Sequence, residues 1–226
     1  HFIFMATANG TVKKTALSQF SRPRNSGLIA LDLVDGDSLV GTAVADVSWD
    51  VLLLASNGKA SRFNEADVRA MGRNSRGVRG MRFDDQTSVI AMIIPQEGGK
   101  ILTISENGYG KRTEETDFPT KGRGGQGVIA MQASERNGAL RGAVQVHEGD
   151  EIMIISDQGT LVRTRADEVS ILSRNTQGVR LIRTKDGEHI VSVGRIEESD
   201  EAEQSAGDGS SEGVADSGGT EGAGDA

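Results

Sequence analysis

The sequence predicts an all-β chain of four propeller-like blades, and three observations carry that prediction. An apolar run reaches a tight polar-Gly turn four times, at Asn9-Gly10, Asn57-Gly58, Asn107-Gly108 and Gln158-Gly159, in steps of 48, 50 and 51 residues. A second glycine follows each turn, at Gly27, Gly77, Gly127 and Gly178, in steps of 50, 50 and 51. Two independent landmarks on nearly one step define an internal repeat, and a period of this length points to blades, solenoids or arrays. Within each period Val, Ile, Leu and Thr gather in short runs bounded by Gly, Asn, Asp or Ser, which read as strands.

Four strands per repeat suit radial blades better than a β-helix, whose coils are shorter, or a helical solenoid, which needs a 3.6-residue period. The blades are expected at about residues 1–47, 48–96, 97–147 and 148–196, followed by a tail over 197–226. In the second repeat the strands fall at Val51 to Ala55, Lys59 to Phe63, Val78 to Phe83 and Ser88 to Ile94. Asn-Gly between the first two predicts a hairpin through a type I′ turn, in which both central residues take positive φ. Between the second and third strands, Glu65 to Met71 has room for a helical turn at most. The chain opens at His1-Phe2-Ile3-Phe4, inside a strand and without a start methionine, so it reads as part of something longer. A closed ring usually has more than four blades, and further blades are expected upstream.

The formal net charge of -8 conceals two different regions. From Glu197 on, ten Asp or Glu occur with no Lys or Arg, which leaves 23 acids against 25 bases over residues 1–196, about +2. The tail is rich in Gly, Ser, Ala and acids and cannot repay the entropy of ordering, so it is expected to be disordered. The absence of cysteine excludes disulfides and thiolate metal sites and fits a reducing compartment. No apolar run of about 20 residues predicts a membrane span.

Basic residues recur in phase with the repeat. After the hairpin turns come Lys13 and Lys14, Lys59 and Arg62, Lys111 and Arg112, and Arg163 and Arg165. Before each second glycine come Arg22 and Arg24; Arg69, Arg73 and Arg76; Lys121 and Arg123; and Arg174. Around a common axis, residues of equal phase fall on one rim, so these groups are expected to form a continuous basic belt, with the acids segregated elsewhere. One Tyr and one Trp suit the phosphate backbone of double-stranded DNA, because single-strand binders need several aromatic faces. A curved belt bends the duplex, at roughly 1 to 6 kcal/mol for 20 to 30 base pairs, and several phosphate contacts per blade offset that cost. A competing reading, a propeller that binds an acidic protein partner, requires exposed apolar patches.

Other signals are weaker. Gly122-Arg123-Gly124-Gly125-Gln126-Gly127 satisfies G-x-G-x-x-G, but a strand follows it where a dinucleotide site needs a helix. Its glycines are expected to admit a phosphate or a neighbouring strand. Asp35, Asp37, Asp84 and Asp85 read as turn residues, not metal ligands. His147 and His189 occupy different phases of the repeat, with no arrangement for nucleophilic or acid-base chemistry, so no catalytic or metal residue is expected. Tyr109, beside its hairpin turn, is expected to pack against the neighbouring blade.

Several long motifs resemble one family in the right order: Met5-Ala6-Thr7-Ala8-Asn9-Gly10-Thr11-Val12-Lys13-Lys14-Thr15, Asn107-Gly108-Tyr109-Gly110-Lys111-Arg112-Thr113, Thr160-Leu161-Val162-Arg163-Thr164-Arg165 and Arg174-Asn175-Thr176-Gln177-Gly178-Val179. They look like the C-terminal domain of the bacterial DNA gyrase A subunit, over residues 2–196. The resemblance implies a β-pinwheel of six blades that exchange strands, of which this chain holds the last four. It further implies duplex DNA wrapped with a positive hand around the basic rim, in support of ATP-dependent negative supercoiling in the cytoplasm. The rest of gyrase A and the gyrase B subunit would be its partners in an A2B2 assembly. ATP, Mg and DNA cleavage would belong to those other regions, leaving no cofactor and no catalytic residue in this segment. One departure is plain: the family's Q-R-R-G-G-K-G box is absent, and Lys121-Gly122-Arg123-Gly124-Gly125-Gln126-Gly127 resembles a degenerate copy in a later repeat. The related domain of the topoisomerase IV A-type subunit, which also lacks an intact box, is the alternative. The acidic tail is expected to fold back and compete with DNA for the belt.

Overall fold

In the computed structural model, which describes residues 1–45 and 48–196, the apolar runs of each repeat become the first strand of an antiparallel hairpin. These hairpins are β1 (Phe2–Thr7) with β2 (Thr11–Ala16), β4 (Asp50–Ala55) with β5 (Lys59–Asn64), β8 (Lys100–Ser105) with β9 (Tyr109–Glu114), and β12 (Glu151–Ser156) with β13 (Leu161–Arg165). A returning strand pairs with the free edge of each first strand: β3 (Leu39–Ala45), β7 (Val89–Ile93), β11 (Leu140–Val146) and β15 (Ile190–Ile196). The expected acidic tail lies outside the described residues.

The hairpin turn differs from the one expected. Gly10, Gly58, Gly108 and Gly159 have φ between 78° and 82°, whereas the residue before each glycine does not take positive φ. Each glycine N–H donates to the carbonyl three residues back, on Thr7, Ala55, Ser105 and Ser156. This is a type I turn followed by a left-handed glycine, a three-residue connection in place of type I′.

The third strand of each repeat is also corrected. Only Val78–Arg79 (β6), Val128–Ile129 (β10) and Val179–Arg180 (β14) form ladders, and each joins the hairpin of the preceding repeat, on β2, β5 and β9. The carbonyl of Gly10 accepts N–H bonds from Gly80 and Met81, which ends the two-residue ladder; Gly58 and Gly108 do the same for residues 130–131 and 181–182. A Cβ on Gly58 or Gly108 would stand 2.2 or 2.4 Å from the carbonyl oxygen of Met131 or Ile182. The second landmark glycine has the same cause, since a Cβ on Gly77, Gly127 or Gly178 would fall 2.3 to 2.6 Å from the backbone of the preceding hairpin.

Three sheets therefore have four strands, ordered β3-β1-β2-β6, β10-β5-β4-β7 and β11-β8-β9-β14, while β13-β12-β15 has three among the described residues. In the first repeat, residues 28–33 form no strand, and Ile29 is 66% exposed; on the edge strand β13, which receives no donated strand among the described residues, Leu161 is 62% exposed. The 3-10 turns after the hairpins, Leu17–Phe20, Glu65–Asp67, Glu115–Asp117 and Ala166–Glu168, are the single helical turns expected.

The apolar core lies between blades. Phe4, Val51, Leu53, Phe63 and Val68 fill the first interface; Leu52, Ile101, Tyr109, Phe118 and Met131 the second; Leu102, Val146, Ile152, Val169 and Ile190 the third. Strands β3, β7, β11 and β15 pack each against the next and form the inner edge, so the donated strands lie on the outer perimeter.

Candidate nucleic-acid interface

The basic pairs after the hairpin turns hold the blades together. Lys14, Arg62, Arg112 and Thr164 share one register, opposite Phe4, Leu52, Leu102 and Ile152. Each cation reaches the helical turn of the following repeat. Lys14 Nζ lies 2.5 Å from Glu65 Oε2. Arg62 Nη1 donates to Glu115 Oε2 at 2.7 Å and to the Glu115 carbonyl at 2.9 Å, while its Nε donates to Asp50 Oδ2 at 2.8 Å. Arg112 donates to the carbonyls of Val169 and Asp167 at 2.8 and 3.0 Å and to Asp167 Oδ1 at 3.2 Å.

One residue earlier the register holds Lys13, Ser61, Lys111 and Arg163. Lys13 and Lys111 are wholly buried. Lys13 Nζ donates to the carbonyls of Ala30, at 2.7 Å, and Arg73. Lys111 Nζ donates to the carbonyls of Ser173, at 2.7 Å, and Arg174, and to Thr176 Oγ1 at 3.0 Å. Burial pulls both lysines below their ordinary range, Lys111 to about 8, with the neighbouring arginine charge acting in the same direction. An ammonium enclosed by carbonyls cannot reach a phosphate. Lys13, Lys14, Lys111 and Arg112, together with the largely buried Arg62, therefore leave the expected surface belt, because the donated strand and the following repeat cover β2, β5 and β9.

A second set links the perimeter loops. Arg73, Arg123 and Arg174 stand four residues before Gly77, Gly127 and Gly178 and donate through Nη1 to the carbonyls of Ile29, Arg79 and Ile129, at 3.0, 3.0 and 2.8 Å. Each acceptor lies two residues after the corresponding glycine of the preceding repeat. The phased arginines thus pin each loop onto the blade before it.

Of the remaining predicted residues, Arg22, Arg24, Arg69, Arg76, Lys121, Arg163 and Arg165 are exposed and Lys59 half-buried. Acids are not segregated from them: Arg76 pairs with Asp32 at 2.8 Å, Arg163 with Glu151 and Arg165 with Asp167 at 3.6 Å. Arg22, Arg24, Arg69 and Lys121 have no carboxylate at ion-pair distance among the described residues. The belt reading omitted Arg79, Arg82, Arg180 and Arg183, all exposed, at two and five residues after the second glycine. The same repeat phase could have found them, but Ile129 and Gln132 interrupt it in the third repeat.

Tyr109 packs in the second core cluster, as expected, and its ring lies between the guanidinium groups of Arg136 and Arg180, 4.8 and 5.0 Å from the centroid. Its hydroxyl accepts from Arg180 Nε at 3.1 Å, and hydrogen bonds from Arg136 and Arg180 hold the phenol below its ordinary pKa. In the glycine run, a Cβ on Gly127 would stand 2.3 Å from the carbonyl oxygen of Ala60, so this glycine admits a neighbouring strand. Asp37 and Asp84 accept local backbone N–H bonds, from Ser38 and Gln86, as turn residues do. Among the described residues no group of three His, Asp or Glu could hold a metal ion, and no helix is long and apolar enough to cross a membrane.

These features define a class: a repeat protein of strand-exchanged blades whose perimeter carries cations. A family model described as the DNA gyrase C-terminal domain, beta-propeller, matches residues 1–46, 50–95, 99–147 and 150–197, and the chain belongs to that family. It is 56% identical over 197 residues to the A subunit of DNA gyrase from Pseudomonas aeruginosa, covering 87% of this chain and 21% of that protein. To the A subunit of Escherichia coli DNA gyrase it is 51% identical over 196 residues, covering 87% and 22%. The chain thus spans about a fifth of the length of these relatives. Among solved structures, a DNA gyrase A C-terminal domain superposes with a TM-score of 0.76 at 27% identity, over 86% of this chain and 65% of that one. A topoisomerase IV C-terminal domain superposes with a TM-score of 0.82 at 23% identity, over 87% and 62%, a likeness of fold alone.

Proposed function

We propose that this domain binds double-stranded DNA along its outer perimeter without reading base sequence, and bends it around the blades. The observation that carries this reading is the set of exposed cations on the perimeter loops and donated strands that have no carboxylate partner among the described residues, including Arg22, Arg24, Arg69, Lys121, Arg79 and Arg180. Exposed Lys and Arg free of carboxylates suit phosphate oxygens, and such contacts release counterions and carry little base specificity. Nothing about these positions forms a convergent base-reading element such as a helix in the major groove.

Within a whole gyrase A subunit, the domain would present wrapped DNA to a strand-passage reaction powered by ATP through the B subunit. Among the described residues no group of three His, Asp or Glu could hold Mg. The test is duplex affinity against salt for two unrelated sequences, together with the linking number of a relaxed plasmid closed in the presence of the protein. A steep negative slope, equal for both sequences, and a shift in linking number support binding and wrapping. A flat slope overturns the reading, and binding without a linking shift overturns the wrapping.

A further inference from the structure

Strand exchange brings together residues from different phases of the repeat, and at one register position it places a single cation on each complete blade. The outer ladder pairs Thr11 with Arg79 in the first sheet, Lys59 with Ile129 in the second and Tyr109 with Arg180 in the third. These pairs are equivalent, because each follows the left-handed turn glycine and each is closed by the same two N–H bonds to that glycine's carbonyl. Directly opposed residues of an antiparallel pair project from the same face. The cation therefore occupies one place on each of the three four-stranded blades, supplied by the donated strand in the first and third and by the acceptor strand in the second.

Where the donated strand carries Ile129 in place of arginine, the acceptor carries Lys59 in place of Thr11 or Tyr109. In linear sequence the substitutions look unrelated, since Lys59 lies twenty residues before Arg79. None of the three cations has a carboxylate at ion-pair distance among the described residues. Arg180 is held over the Tyr109 ring, and the backbone carbonyl of Arg79 is tied to Arg123. Arg180 also donates through Nε and Nη2 to the Tyr109 hydroxyl, so its charge is positioned but not neutralised, and all three cations keep a net positive charge on the perimeter for an external anion.

We propose that Arg79, Lys59 and Arg180 form a one-per-blade ladder of phosphate contacts for duplex DNA, in which the strand that carries the cation is immaterial. This rests on the DNA-binding reading above and assigns its register. Because any duplex presents phosphates, the ladder sets the path of the DNA without selecting its sequence.

The experiment uses the full chain with a linear duplex as probe and compares Arg79→Gln, Lys59→Ile, Arg180→Gln and the exchange Lys59→Ile with Ile129→Arg. Each single change should make the slope of log K against log salt less negative by about 0.9, or about eightfold in affinity per tenfold change in salt. The exchange should restore the slope, because it rebuilds in the second blade the arrangement of the first and third. If the unmodified chain shows no salt-dependent binding, the DNA reading itself fails. If it binds and the single changes leave the slope unaltered, or the exchange does not restore it, the ladder is refuted and the binding reading survives. Should Lys59→Ile lower the urea unfolding midpoint, Lys59→Gln, which keeps a polar side chain at that place, replaces it in the single-change comparison.

Discussion

Arg62 separates the cations that build the fold from those proposed to contact DNA, and replacing it with methionine tests the distinction. The side chain bridges the Asp50 carboxylate of its own blade and the Glu115 carboxylate and carbonyl of the next. Arg62→Met retains part of the apolar stem and leaves two carboxylates, 19% and 12% exposed, without the guanidinium. Burial alone would raise the Asp50 pKa, but hydrogen bonds from Thr120, Arg62 and Asn64 outweigh it and hold the group charged. Removing one partner of a buried pair costs about 3 to 5 kcal/mol, and the partial exposure here places the expected loss near the lower end, about 3 kcal/mol. Urea unfolding should show this loss, and adding Glu115→Gln should recover part of it, with a coupling of about 0.5 to 3 kcal/mol. The salt dependence of duplex binding should stay as in the unmodified chain. A loss below about 1 kcal/mol, or a slope shallower by about one phosphate, would refute the assignment of Arg62 to the blade interface.

Lys111 gives a pH-dependent signature. Its folded pKa of about 8 lies below the unfolded 10.5, so its contribution is complete above 10.5 and lost as pH falls through 8. Relative to Lys111→Met, the unmodified chain should gain up to about 3 kcal/mol of stability between pH 8 and 10.5; a pH-independent difference between the two melting curves would count against a depressed lysine. The turn glycines test strand donation. Gly108 and Gly159 both need positive φ, but only at Gly108 would a Cβ meet a donated strand, 2.4 Å from the Ile182 carbonyl oxygen. Gly159→Ala should cost about 1 to 2 kcal/mol from backbone conformation, and Gly108→Ala clearly more. Equal losses in thermal unfolding would remove steric approach as the reason for the glycine.

Much of the architecture was legible because it follows from local chemistry. Polar-Gly turns, apolar runs and the second glycine recur on one step, and hairpins and helical turns form where those residues demand them. The turn type was not legible, because Asn-Gly admits both a two-residue and a three-residue connection, and the same three-residue connection forms at Gln158-Gly159, where a Cβ on the glycine would meet nothing within 4 Å. The cations were only partly legible. Arg22, Arg24, Arg69 and Lys121 fall on exposed loops, but Lys13 and Lys111 have the same local pattern as surface lysines and are buried by chain from later repeats.

The sequence by itself determined the all-β repeat, the spacing of its turns and a final thirty residues with ten acids and no base, since these depend on residue type and order along the chain. Tertiary structure alone decided which cations face outward. The second, third and fourth repeats each lend a strand to the blade before, and that exchange encloses one set of charges among carbonyls and carboxylates while bringing Lys59 into line with Arg79 and Arg180.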